Sequence, residues 1–283
     1  MHELRHTIVE WAQEQDPIRA MILAGSTATR TTADDLADLD IAIFATDPSI
    51  YTSADGWMGE IAPIWNCLAL SNEGEGGYPT RLIIYDGGRK VDFTLAPLDA
   101  LDHLVMSEPL PDLYHRGYRV LLDKDRRAAT MPPPPFRARP TPKPSEAEFG
   151  ALITEFWHEA YHVPKYLARG DLWLVKMRDW RMKTLMLDML AWYMKSTEGW
   201  EYDTFYLGKH IKGWLDPALY DALFACFARF DRDDSWAAFF ATARLFAHAA
   251  EQTATRLGYA YAHDGADHIL ALAHELHDKS AHS

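Results

Sequence analysis

Cysteine is scarce in this sequence: two residues in 283, Cys67 and Cys226, set far apart within Trp65-Asn66-Cys67-Leu68 and Phe224-Ala225-Cys226-Phe227. Isolated thiols in apolar surroundings support neither a disulfide framework nor a zinc or redox motif, and both read as buried structural cysteines. Long hydrophobic runs are missing as well. No stretch reaches the eighteen or so apolar residues a membrane helix needs. The opening Met1-His2-Glu3-Leu4-Arg5-His6 leads into a mixed segment, not an apolar signal core, so no membrane association is expected and the cytosol is the expected compartment. Basic charge is also short, with 28 Lys and Arg against 41 Asp and Glu and a net of −13. Such a field repels phosphate backbones and attracts polycations, which disfavours a nucleic-acid substrate. Histidine is plentiful, but His263, His268, His274, His277 and His282 lack the paired spacing of a zinc site and read as solvent-facing.

What is present is apolar content, at 48% of the chain. That length and content can fill one large core or two ordinary ones, and two domains are expected. The break falls at residues 131–144, because seven of the thirteen residues from Pro132 to Pro144 are proline, a composition that forms neither helix nor central strand. The expected organisation is a first domain over 1–130, a linker over 131–144 and a second domain over 145–283. Before the linker, short β-rich runs at 20–24, 40–44, 67–70, 81–85 and 91–95 alternate with turns and read as one mixed sheet. After it, Leu174, Met177, Trp180, Arg181, Thr184, Leu185, Leu187, Met189 and Trp192 recur at helical spacing, with Ser145 an N-cap for the first helix and Glu148 completing its capping box. The fold class is α+β: a mixed sheet flanked by helices, then an α-helical bundle. No internal repeat or other low-complexity tract occurs.

The chemistry concentrates where Gly25-Ser26-Thr27 closes the first strand and, after a polar loop through Asp34 and Asp35, Asp38-Leu39-Asp40 opens the second. Gly25 lets the backbone approach a phosphate, and the Ser26 hydroxyl with the N–H groups of a following turn can bind its oxygens. Period-two geometry puts Asp38 and Asp40 on one strand face. Two such carboxylates repel unless a cation lies between them, and Mg²⁺ with a nucleoside triphosphate suits hard oxygen ligands at this spacing. A later strand supplies Asp92, whose side chain alternates away from Val91 and Phe93, so three carboxylates can converge. Asp-x-Asp alone is common in loops of an acidic protein; the ordered combination carries the argument.

In this order the residues resemble the nucleotidyltransferase superfamily pattern of Gly-Ser, a loop, Asp-x-Asp, and a third acid on a separate strand. The chain is similar more narrowly to the aminoglycoside 6-adenylyltransferases, the streptomycin-adenylating family. That likeness runs through Leu121-Leu122-Asp123-Lys124-Asp125, Glu155-Phe156-Trp157, Leu185-Met186-Leu187-Asp188-Met189-Leu190-Ala191-Trp192-Tyr193 and Gly208-Lys209-His210-Ile211-Lys212. The resemblance spans Ile22 to Trp214 and implies an N-terminal nucleotidyltransferase domain with ATP as co-substrate and Mg²⁺ as cofactor. An acceptor hydroxyl of a small cationic antibiotic would attack the α-phosphorus, with pyrophosphate leaving. Asp38 and Asp40 would hold metal, and Asp92 would ligate metal or take the hydroxyl proton. The family's arginine after Gly-Ser is Thr27 here, and the nearest arginine is Arg30; either Arg30 substitutes or the phosphate is held more weakly.

In the helical half, Glu155 and Glu159 are four apart on one helix face beside Trp157 and Tyr161, a surface suited to guanidinium or ammonium groups. A solvated acidic face next to core aromatics has the same pattern. Asp179 and Asp188 lie among Lys176, Arg178, Arg181 and Lys183, where ion pairing is the simpler account; Asp179 is preferred as an acceptor contact. Lys209 and Lys212 are three apart and can share a helix face that reaches a triphosphate, or be plain surface charge. Two rivals stay open: a nucleotidyltransferase acting on another small acceptor or a protein side chain, and a catalytically silent nucleotide binder.

Overall fold

In the computed structural model, which describes residues 2–25, 28, 36–71, 75–261 and 264–281, the apolar runs of the first half become strands of one sheet. After helix α1 (His2–Glu14) come β1 (Ile18–Ala24) and β2 (Leu39–Ala45), then the short helix α2 (Gly56–Ile61) and strands β3 (Ile64–Leu70), β4 (Thr80–Tyr85) and β5 (Arg89–Pro97). Helices α3 (Leu98–Val105) and α4 (Asp112–Arg116) lead to β6 (Tyr118–Asp123). The sheet order is β3-β4-β5-β2-β1-β6. It is mixed: β2 and β5 run parallel and the other neighbours antiparallel. β6 is not among the five strands read from the sequence, because Tyr118-Arg119-Val120-Leu121-Leu122-Asp123 has little alternation, as befits a strand at the sheet edge.

The central strands β1 and β2 are near-continuous aliphatic runs, the composition of strands covered on both faces. On one face, Leu4, Ile8 and Trp11 of α1 and Trp57 of α2 pack on Ile41, Ile43 and Phe93. Trp11 stacks on Trp57 at 5.1 Å, and Trp57 meets Phe93 edge-on at 5.4 Å. On the other face Leu101 of α3 and Tyr114 of α4 pack with Ile22, Ala42 and Phe44.

The chain divides into two compact units, Met1–Arg139 and Pro140–Ser283. The proline-rich stretch contains no helix or strand; it is mostly exposed and is held to each unit by a few contacts. In the first unit Met131 is buried, the Tyr118 hydroxyl donates to the Pro132 carbonyl at 2.8 Å, and the Arg139 N–H donates to Asp112 at 2.8 Å. In the second the Thr141 N–H donates to the Trp200 carbonyl at 3.2 Å, and the Tyr259 hydroxyl to that of Pro144 at 2.7 Å.

The second unit is helical, built on α5 (Glu146–Arg169), α6 (Leu172–Glu198), α7 (Arg232–Leu257) and α8 (Asp264–Ala281). The capping box at the start of α5 is formed: the Ser145 hydroxyl accepts from the Glu148 N–H at 3.2 Å while the Ser145 N–H donates to Glu148 Oε2 at 2.7 Å. Phe156 of α5 lies flat on Phe246 of α7 with ring centres 3.5 Å apart, both fully buried. α6 buries Val175, Met182, Leu185, Met186, Met189 and Leu190, whereas Leu174, Met177 and Trp180 of the expected stripe are exposed. His268 and His274 are exposed, as expected, and the His277 side chain is 43% exposed; His274 also stacks on Phe240 at 4.4 Å and His277 meets Trp236 edge-on at 5.1 Å, while His263 and His282 lie outside the described residues. Cys226 is buried and Cys67 half-buried. No described helix is long and apolar enough to cross a membrane.

These contacts rank two substitutions. We expect Phe246→Ala to cost about 3–5 kcal/mol through the cavity it leaves and Ser145→Ala about 1 kcal/mol through the lost cap, read as urea midpoints. Equal losses would refute the ranking.

Candidate active site

The parallel register of β2 against β5 sets Leu39 beside Val91, Asp40 beside Asp92 and Ile41 beside Phe93. Side chains at matched positions of neighbouring strands point to the same face, so the apolar partners enter the core and the two aspartates emerge together on the opposite face. There Asp40 and Asp92 line a cavity of about 490 Å³ whose walls include Ala24, Tyr78, His103 and Tyr114. That size is ordinary for a small-ligand pocket.

Asp38 precedes β2 and is more exposed. Its carboxylate accepts from the Lys90 ammonium at 2.9 Å, and the same ammonium donates to Asp92 Oδ2 at 2.8 Å. Burial opposes the charge on Lys90, but the hydrogen bonds to Asp92 and Asp38 outweigh it and hold the ammonium above its usual pKa. The other oxygen of Asp92, Oδ1, is buried without a hydrogen-bond partner among the described residues. Among the described residues no three carboxylate, imidazole or thiol side chains converge into a ready metal cage. Of the three expected carboxylates, Asp40 and Asp92 are adjacent and Lys90 bridges Asp92 to Asp38. Sequence reasoning passed over Lys90, although it lies two residues before Asp92 in β5 and therefore on the same face.

Gly25 follows β1, whose last residue Ala24 pairs with Asp40 of β2. Its φ is +75°, and a β-carbon there would lie 2.9 Å from Asp40 Oδ2. Glycine is required twice over, by the left-handed backbone and by the close approach of the carboxylate. Ser26, Thr27 and Arg30, read as phosphate contacts, lie outside the described residues.

In the helical unit the acids expected to meet an acceptor are engaged in ion pairs, two between α5 and α6 and one within α6. Glu155 pairs with Arg181, its Oε1 2.7 Å from Nε. Glu159 is buried and takes both oxygens to Arg178 at 3.0 and 3.1 Å. Asp179 accepts from buried Lys183 at 2.5 Å, and Lys183 also donates to Thr242 at 2.8 Å. Trp157 is 6% exposed and packs edge-on against Phe156 and Phe246, which makes it a core residue and not a ligand contact. Lys209 and Lys212 are exposed but do not share a helix face: Lys209 lies in a turn before the short helix Ile211–Trp214, with left-handed His210 (φ 59°) between them.

Asp188 differs from its neighbours in having no hydrogen bond or ion pair among the described residues. It lines a second pocket, of about 340 Å³, with Trp192, Lys195, Phe205, Tyr206 and Trp214. The pocket walls desolvate its carboxyl and raise its pKa, with Arg181 pulling it down and Glu155 adding to the rise.

A family model described as streptomycin adenylyltransferase matches residues 1–276. The chain is 28% identical over 267 residues to an aminoglycoside 6-adenylyltransferase of Campylobacter jejuni, covering 92% of this chain and 90% of that one. It is 25% identical over 268 residues to an aminoglycoside 6-adenylyltransferase of Bacillus subtilis (strain 168), covering 92% of each. Among solved structures it is similar to that of an aminoglycoside 6-adenyltransferase from Bacillus subtilis, with 21% identity, 97% of both chains covered and a TM-score of 0.47.

The contact between Gly25 and Asp40 yields a direct test. We expect Gly25→Ala to lower stability by about 1–2 kcal/mol, the penalty of a left-handed residue with a β-carbon, and to reduce nucleotidyl transfer further by displacing the Asp40 carboxylate. Calorimetric melting beside pyrophosphate release measures both, and wild-type values for both would show that the site tolerates a side chain there.

Proposed function

This chain belongs to the streptomycin adenylyltransferase family, and from that premise we propose that it transfers AMP from ATP to a hydroxyl of an aminoglycoside such as streptomycin, with release of pyrophosphate. The observation that carries the reading is the Asp40–Asp92 pair on one face of the sheet, lining a cavity of about 490 Å³.

The buried Oδ1 of Asp92, which has no hydrogen-bond partner among the described residues, and the neighbouring Asp40 form a hard oxygen donor set that suits a cation. Mg²⁺ suits it, because this ion is commonly held by one or two carboxylates with the rest of its shell from water and substrate phosphates. Asp40 and Asp92 would hold it, and Asp38, tied to Lys90, supplies the third carboxylate. Bound there, the metal supplies charge neutralisation at the triphosphate and lowers the pKa of an attacking hydroxyl. Asp92 accepts the proton of the acceptor hydroxyl as that oxygen attacks the α-phosphorus, and the bond to pyrophosphate breaks in line. The hydrogen bond from Lys90 orients Asp92 for this. Gly25 leaves room for the carboxylate of Asp40. Ser26, Thr27 and Arg30 are proposed to hold phosphate oxygens, and Lys209 and Lys212 to contribute positive charge to the triphosphate.

Incubation with Mg²⁺, each of the four nucleoside triphosphates and a panel of aminoglycosides, followed by weighing of products, tests the reading. An aminoglycoside heavier by one AMP is the expected product; ATP consumption without such a product refutes it. For the site itself, we expect Asp92→Ala to keep nucleotide affinity within a few-fold by calorimetry while pyrophosphate release falls about a hundredfold to ten-thousandfold, the usual worth of a general base. Unchanged turnover in the folded variant would make Asp92 structural.

A further inference from the structure

The first helix of the second unit carries a pattern that nucleotidyl transfer does not use. His158-Glu159-Ala160-Tyr161-His162 lies within α5 and has the spacing His-Glu-x-x-His, in which two imidazoles one helical turn apart ligate a metal and the glutamate activates a water. The glutamate is unavailable here. Glu159 is buried and gives both oxygens to Arg178, so it cannot take a proton from a metal-bound water. The hydrolytic use of the pattern is therefore excluded, and what remains is the pair of imidazoles.

That pair is arranged as a chelate. The ring centres of His158 and His162 stand 5.0 Å apart, with their planes at 73°. Two imidazoles that share one tetrahedral ion, each nitrogen about 2.0–2.1 Å from it, have ring centres roughly 5 Å apart. His158 is exposed and His162 half-buried, so an ion can approach from solvent. His162 is held in place by stacking on Tyr166, with centres 6.2 Å apart, and by Tyr161 edge-on at 5.3 Å. Neither imidazole has a hydrogen bond or ion pair among the described residues. His115 shows the contrast, its Nδ1 lying 2.8 Å from the Arg137 carbonyl. Desolvation, with Arg178 and His158 nearby, holds the His162 pKa below its usual value and leaves the ring in the neutral form that binds metals. The charge on Arg178 is itself met by Glu159. Glu155, one turn before His158, is held by Arg181 and completes no third ligand position.

The turn that the two histidines span lacks one backbone bond. Pro164 sits inside α5 and has no N–H to donate to the Ala160 carbonyl. An ion joining His158 to His162 would tie the helix together across that gap.

We propose that His158 and His162 form a transition-metal site on α5, which takes a divalent ion suited to imidazole, such as Zn²⁺, Ni²⁺ or Cu²⁺, through two ring nitrogens and water, and that the bound ion staples this turn of the helix. The site differs in kind from the Asp40–Asp92 pair, which offers only oxygen ligands and suits Mg²⁺. It does not depend on the transfer reaction.

Ni²⁺ is the probe, added to the full chain without nucleotide. Calorimetry and thermal melting follow its binding to wild type, His158→Ala and His162→Ala, with Asp92→Ala as the control for ions held by the acidic pair. The expected result is one Ni²⁺ per wild-type chain, affinity lower by at least about tenfold in either histidine variant, and wild-type affinity in Asp92→Ala. Ni²⁺ should raise the melting temperature of wild type, since an ion bound only by the folded chain stabilises it by mass action, and should not do so in His158→Ala. With Cu²⁺ in place of Ni²⁺, electron paramagnetic resonance should show coupling to two imidazole nitrogens in wild type and fewer in His158→Ala. Wild type that does not bind Ni²⁺, or a His158→Ala variant that binds it as wild type does, overturns the proposal; in the second case the ion is held elsewhere, as by the histidines of α8. Should His162→Ala fail to fold, because its ring packs on Tyr166, His158→Ala decides alone, its side chain being exposed.

Discussion

The parallel register between β2 and β5 places two carboxylates side by side on neighbouring strands, and like charges so placed repel. The pairing stands because the rest of both strands demands it. A slip of one residue would turn Ile41, Ile43, Phe93 and Leu95 out of the core beneath α1 and α2 and expose them to water. Burial of those side chains, each worth roughly 1.5–3 kcal/mol, fixes the register, and the register fixes Asp40 beside Asp92. Two local devices accommodate the charge: the Lys90 ammonium lies between Asp92 and Asp38, and Gly25 leaves space for the Asp40 carboxylate.

In the helical unit the same economy of charge produces the opposite result. Glu159 and Asp179 are held by Arg178 and buried Lys183. Removing either partner would strand a charge in surroundings that solvate it poorly. Those acids therefore serve the bundle, whereas Asp188 does no such service. Partnership, and not residue type or helix position, separates an acid that holds the fold from one free to meet a ligand.

Family membership and site geometry support one another at different grain. The match over residues 1–276 places the chain among the streptomycin adenylyltransferases as a whole. The structure adds which carboxylates stand side by side, which lysine bridges them, and which glycine makes room.

Much of this was legible in the residues themselves. Aliphatic runs announced five of six strands, the Ser145–Glu148 capping box marked the start of α5, and Asp-x-Asp with a later strand acid singled out Asp38, Asp40 and Asp92, because periodicity and capping are local and a strand's alternation is written in its own sequence. Tertiary structure alone decided the rest. The registry that sets Asp40 against Asp92, the bridge from Lys90 to Asp38 across 52 positions of sequence, and the choice of Glu155 and Glu159 as ion-pair partners all depend on which element packs against which. Trp157 carried the same ambiguity: a tryptophan beside two glutamates reads equally as a ligand wall or a core residue until Phe246 closes over it from another helix. A sequence states what each side chain can pair with, but only the fold selects the partner, because pairing is settled by distances between segments that the chain order does not contain.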